Sequence, residues 1–117
     1  MEYNVIAVDF DGTICTENFP EIGQLIVAAK RTLKRFKAKG GHIIIWTCRS
    51  GQDLQEAIDF LHEYHVPYDT INENLPYRIK QYKADPRKVG ADMYIDDRNP
   101  GGVDWNLIAK LLEVDEI

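Results

Sequence analysis

The 117-residue chain holds only two cysteines, Cys15 and Cys48. Two are too few for a disulfide scaffold, and a reducing cytoplasm is the expected compartment. No run of 18 or more apolar residues is present, so neither a transmembrane helix nor a membrane partner is expected. The first residues lack a charged stretch followed by a long apolar one, and no signal peptide is expected. Positive charge is in deficit: 14 Lys and Arg stand against 19 Asp and Glu, a net charge of −5. That balance argues against broad, non-specific nucleic-acid binding, although it leaves room for a local basic groove. Repeats, low-complexity tracts and linkers are missing too, so one domain over residues 1–117 is expected. What remains is 44% hydrophobic and 28% charged, the balance of a globular chain with one ordinary core.

The apolar residues come in short blocks. Residues 4–9 form a mostly apolar run of strand length, suited to burial on both faces. Residues 24–39 predict a helix with Leu25, Ala29, Leu33 and Phe36 on one stripe, stopped by Gly40-Gly41. Residues 42–46, β-branched at the centre, predict a second buried strand. Ser50 with Asp53 predicts a capped helix over about 52–65, ended by Pro67. Residues 68–71 predict a short strand. Residues 72–85 carry no firm pattern beyond one helical turn. Asp85-Pro86 predicts a helix start, residues 91–95 another strand, and residues 104–113 a terminal amphipathic helix. Alternating strands and helices indicate an α/β fold with a short parallel sheet and helices on both faces. In such a sheet, ligands bind beyond the carboxyl ends of the strands.

Those ends carry the chemistry. The first strand ends in Asp9-Phe10-Asp11-Gly12-Thr13, the second in Thr47-Cys48-Arg49, and the last in Asp96-Asp97. Asp9 and Asp11 share a side in extended backbone, and Gly12 permits a tight turn. A hairpin turn at Asp11-Gly12 explains this poorly, because no matching strand follows and Asp9 is left at the end of an apolar run. Unpaired buried carboxylates are costly, and Asp96-Asp97 at the same edge adds repulsion. A divalent cation relieves it; hard oxygen ligands suit Mg²⁺. Metal, carboxylates and a hydroxyl together equip a site for phosphate chemistry.

Val8 to Thr13, "VDFDGT", resembles the first motif of the haloacid dehalogenase superfamily. Residues 43–47 resemble its second motif, a strand ending in Thr or Ser. Lys88 resembles the third, and Tyr94-Ile95-Asp96-Asp97 resembles the fourth. All four occur in the family's order, and the segment from Arg87 to Gly102 is similar to a small bacterial group of cap-less members. The resemblance implies a three-layer, Rossmann-like fold without a cap domain and a Mg²⁺-dependent phosphomonoester hydrolase. It implies Asp9 as a nucleophile that becomes an aspartyl-phosphate and Asp11 as the general acid and base. It implies Thr47 and a lysine on the transferring phosphoryl group. Mg²⁺ would be held by Asp9, the Asp11 carbonyl and Asp96, with Asp97 acting directly or through water. Gly12, where the chain turns off the strand, joins the expected substrate-binding set. Neither interval between motifs has room for a cap, which implies an open site, suited to a bulky substrate or to a lid from another subunit of a homo-oligomer.

Several alternatives stay open at this level. Lys88 is the candidate for that lysine, with Lys83 as runner-up and Lys80 in the same interval, or else it is a solvated surface lysine. Arg49 either reaches a substrate phosphate or base or is a surface arginine at a helix start. Arg98 is expected to pair with the acidic residues before it. Asn72-Glu73-Asn74 borders the site or caps a loop. Cys15 and Cys48 are small core cysteines or a redox pair. His62 and His65 suit a helix end better than a metal, and no histidine is spaced with a cysteine as a ligand set. A sugar phosphate, a nucleotide, a nucleic-acid end and a phosphoprotein are all candidate substrates, nucleic acid only in that sense. Two other classes compete: a receiver-like phospho-signalling domain, disfavoured by the order of its residues, and a catalytically silent phosphate-binding module.

Overall fold

A computed structural model describes residues 1–115. Four parallel strands form one sheet: β1 (Val5–Val8), β2 (His42–Ile45), β3 (Thr70–Ile71) and β4 (Met93–Ile95), in the order β3-β2-β1-β4. β1 pairs with β2 from Val5–His42 to Val8–Ile45, and with β4 from Ile6–Met93 to Val8–Ile95. β1 and β2 are buried almost throughout, as apolar runs in the middle of a parallel sheet must be. The chain moves from β1 to β2 and β3, then returns to the other side of β1. The strand order therefore reverses at β1, and the crevice between the ends of β1 and β4 is the topological switch point.

The helices are α1 (Val27–Ala38), α2 (Gly51–Glu63), α3 (Pro76–Tyr82) and α4 (Trp105–Leu111). The result is a three-layer, Rossmann-like α/β fold with unequal layers. On one face, α1, α2 and α4 pack Leu33, Phe36, Phe60, Leu61 and Trp105 against Ile6, Val8, Ile43 and Ile45. On the other, Val5, Ala7 and Ile44 meet Leu75 and Val89, with Trp46, Ala91 and Tyr94 partly buried around them. α3 has no buried residue, so this second layer is thin. No helix among the described residues is long and apolar enough to cross a membrane.

Three expectations from the sequence need correction. The first helix starts at Val27, not at residue 24, because Leu25 bridges Cys15 and the Ile26 N–H donates to the Ile14 carbonyl at 2.8 Å. Leu25 reaches the core from extended chain. Ser50 occupies the N-cap position of α2 but makes no side-chain cap bond. Asp85-Pro86 starts no helix, since the Asp85 carboxylate and Pro86 carbonyl both accept from Asn74 Nδ2 at 3.0 Å. The helix of this region lies earlier, opened by Pro76 at a position where a missing N–H costs nothing.

Candidate functional site

β1 delivers Asp9 to the switch point, and β4 delivers Asp96 and Asp97 beside it. One carboxylate oxygen from each of the three lies within 4.8 Å of the others. Among the described residues, no lysine or arginine forms a salt bridge with any of them. The pKa of Asp9 is pushed up to about 7. Burial is the main cause, followed by the charge of Asp96 and the proximity of Asp97. Three hard oxygen donors lie close enough together that they could hold a divalent cation.

The loop after β1 is built around these carboxylates. Thr13 is fully buried; its hydroxyl donates to Asp9 Oδ2 at 3.2 Å and accepts from the Asp97 N–H at 3.1 Å. The Thr13 carbonyl accepts from Trp105 Nε1 at 2.9 Å. Gly12 has φ +79°, and a Cβ there would collide with the Asp97 carboxylate. Only glycine suits both the backbone and the space. Gly12 thus serves the approach of Asp97, a structural duty distinct from the substrate contact expected of it.

Asp11 does not join the carboxylate cluster. Both of its oxygens are held by Arg49, Nε to Oδ2 and Nη2 to Oδ1, each at 2.8 Å. Arg49 Nη1 donates to the Pro20 and Asp53 carbonyls, and Nη2 also donates to that of Glu21. All five guanidinium N–H groups therefore have partners inside the protein. Its side chain is 1% exposed, and it stacks near the rings of Phe10 and Phe19. This corrects both readings of Arg49: it is neither a substrate ligand nor a surface arginine, but a buried strut tying Asp11 to the 16–24 loop and to α2.

Thr47 follows β2. Its N–H and carbonyl pair with the Asn72 side-chain amide at 2.8 and 3.0 Å, and its hydroxyl accepts from the Arg49 N–H at 3.1 Å. The hydroxyl proton has no partner among the described residues and is available to donate. Asn72 thus fixes the end of β2.

A cleft of about 380 Å³ opens at the switch point on the thin side of the sheet, lined by Ala7, Asp9, Trp46, Lys88, Tyr94, Ile95, Asp96 and Asn99. Lys88 is in this lining, whereas Lys80 and Lys83 are not, and Asp11, Thr47 and Asp97 also lie outside it. Lys88 Nζ sits 4.9 Å from the Tyr94 ring centroid. Its loop is pinned by Asn74, 6% exposed, which also accepts from the Gly90 N–H at 2.6 Å. The Tyr94 hydroxyl donates to the Val89 carbonyl at 2.7 Å. Lys88 is therefore held by a loop rather than by the helix start expected for it. Thr13 stood inside the motif with no role of its own assigned; of the Asn72-Glu73-Asn74 stretch expected to border the site or cap a loop, Asn72 holds the end of β2 and Asn74 holds the Lys88 loop.

Other candidates fall away from the site. Both thiols are free, Cys15 buried and Cys48 exposed, and burial pushes the Cys15 thiol up. His62 hydrogen-bonds Tyr68 at 2.8 Å, and His42 faces Asp69. Arg98 offers Asp96 its backbone N–H at 2.9 Å, with no side-chain ion pair among the described residues.

A solved structure of a conserved protein from Bacteroides thetaiotaomicron shares this fold with a TM-score of 0.83. The two are 36% identical over 97% of this chain and 92% of the other. This chain belongs to that protein's family. No protein-family profile and no curated protein matches the chain.

Proposed function

We propose that the protein is a Mg²⁺-dependent phosphomonoester hydrolase, as its resemblance to the haloacid dehalogenase superfamily implies. The observation that carries this reading is the convergence of Asp9, Asp96 and Asp97 at the switch point, with Lys88 lining the same cleft. Asp9, Asp96 and Asp97 are the side chains that would hold Mg²⁺, which when bound supplies positive charge to the carboxylates and the phosphoryl oxygens.

Asp9 attacks phosphorus and forms an aspartyl-phosphate as the ester oxygen leaves. Thr13 orients Asp9 through its hydroxyl. Thr47 donates its free hydroxyl proton to a phosphoryl oxygen, and Lys88 balances the charge there. Asp11 handles protons, first for the leaving group and then for the attacking water. It must turn at least one oxygen away from Arg49 to do so. Among the described residues no cap covers the cleft, in keeping with a substrate larger than the phosphoryl group itself.

The test is hydrolysis of a generic aryl phosphate by the purified protein with Mg²⁺, repeated with chelator and with Asp9→Asn. Release of phosphate in the first case alone supports the reading. Inactivity on a broad phosphate panel, with normal Mg²⁺ binding, sinks it. Stable phosphorylation of Asp9 without turnover would instead favour a signalling role.

A further inference from the structure

We propose that the aromatic wall of the cleft, Trp46 with Tyr94, receives a flat aromatic ring carried by the phosphate ester; this rests on the hydrolase reading above. The floor of the cleft is Ala7, which lies opposite Tyr94 in the β1–β4 pairing. Its small side chain leaves a gap between the larger residues on either side. The backbone of Trp46 is fixed at the other edge by its main-chain N–H, which donates to the Val8 carbonyl at 2.9 Å. The two rings meet at 5.6 Å between centroids, tilted by 49°, so they form an angled ledge. Both are only partly buried, and α3 buries no residue over them.

The polar groups divide the cleft. Asp9 and Asp96 mark the end where phosphorus must sit, and Lys88 and Asn99 complete the lining. The Tyr94 hydroxyl is already spent on Val89 and Ala91, so this side chain offers the cleft its ring. Lys88 lies over that ring, which leaves Trp46 as the broader open surface. A phosphate beside Lys88 therefore places its organic group against Trp46. Aromatic faces prefer tilted or offset rings to saturated ones of similar size, and such stacking tolerates any planar base or phenyl group. The cleft volume is within the lower range of small-molecule sites.

Non-hydrolysable phosphonates test this on the wild-type protein with Mg²⁺, by calorimetry. Phenylphosphonate should bind roughly tenfold more tightly than cyclohexylphosphonate. The phosphonate analogue of adenosine 5′-monophosphate should similarly exceed that of ribose 5-phosphate, and the two pairs separate a simple aryl ring from a nucleobase. Trp46→Leu should erase both preferences, and Trp46→Phe should retain most of them, while methylphosphonate affinity stays unchanged in each. Equal binding of the ring pairs, or a preference that survives Trp46→Leu, overturns the proposal. If methylphosphonate itself fails to bind with Mg²⁺, the hydrolase reading falls and the ledge proposal falls with it. If it binds while the ring pairs are equal, the ledge proposal alone is lost.

Discussion

The two faces of the sheet differ in what they are built to do. One face is covered by three helices and holds twenty buried residues in one cluster; the other has five, under a loop and a seven-residue helix. The thick face can supply most of the burial energy because apolar area removed from water scales with such packing. The thin face leaves room at the strand ends, and the cleft opens there. A small chain thus places stability and access on opposite sides of one sheet.

The sharpest test of that division is Asp9→Asn. Activity should fall by at least ~10³-fold, because the proposed nucleophile is lost, while the thermal transition stays cooperative. Unfolding of this variant would mean that the site also carries the fold. Next comes Arg49→Leu, which strips a buried partner from Asp11 and frees three carbonyls. A loss of about 3–5 kcal/mol is expected in denaturant titration, and a loss under ~1 kcal/mol would show that the strut is dispensable.

Leu33→Ala on the thick face and Val89→Ala on the thin face probe the same contrast directly. The first should cost about 3–5 kcal/mol and leave KM unchanged. The second should cost only ~1–2 kcal/mol yet weaken catalysis, since Val89 adjoins Lys88. Equal stability losses would erase the distinction.

Asp9 also makes a prediction about pH. Its folded pKa of about 7 lies above the unfolded value of 3.8. Between those values Asp9 holds its proton in the folded protein and not in the unfolded chain, so its contribution to metal-free stability should fall as pH rises through this window and level off above it. The expected contribution is roughly 1–3 kcal/mol after allowance for solvent screening. Asp9→Asn in chelator should flatten the profile. A wild-type profile that does not fall relative to that of Asp9→Asn between pH 4 and pH 7 would contradict it. An effect as small as that of Val89→Ala is expected for Asn74→Ala, about 1–2 kcal/mol, with a several-fold drop in activity through the Lys88 loop.

Much of the layout was readable from residue pattern. The runs at 4–9 and 42–46 read as buried strands, and β1 and β2 lie within them; the carboxylates after the first run marked a candidate site. What local pattern could not convey was partnership across the chain. Arg49 looks like any arginine at a helix start until Pro20, Glu21 and Asp11 are folded around it. Asn74 lies in a polar stretch whose meaning depends on Asp85 and Gly90, and that same stretch hid α3. Asp85-Pro86 has the letters of a helix start, but a tertiary hydrogen bond claimed the capping carboxylate first.

Thr13 links the acidic cluster to α4 through one residue, its hydroxyl touching Asp9 and Asp97 and its carbonyl holding the Trp105 indole. A seven-residue helix has little stability of its own, so α4 persists by docking. Local opening that lifts α4 would release Thr13, and with it the alignment of two carboxylates. The site and the last helix should therefore belong to one cooperative unit, and the amides around Thr13 and Trp105 should exchange with solvent at a common rate.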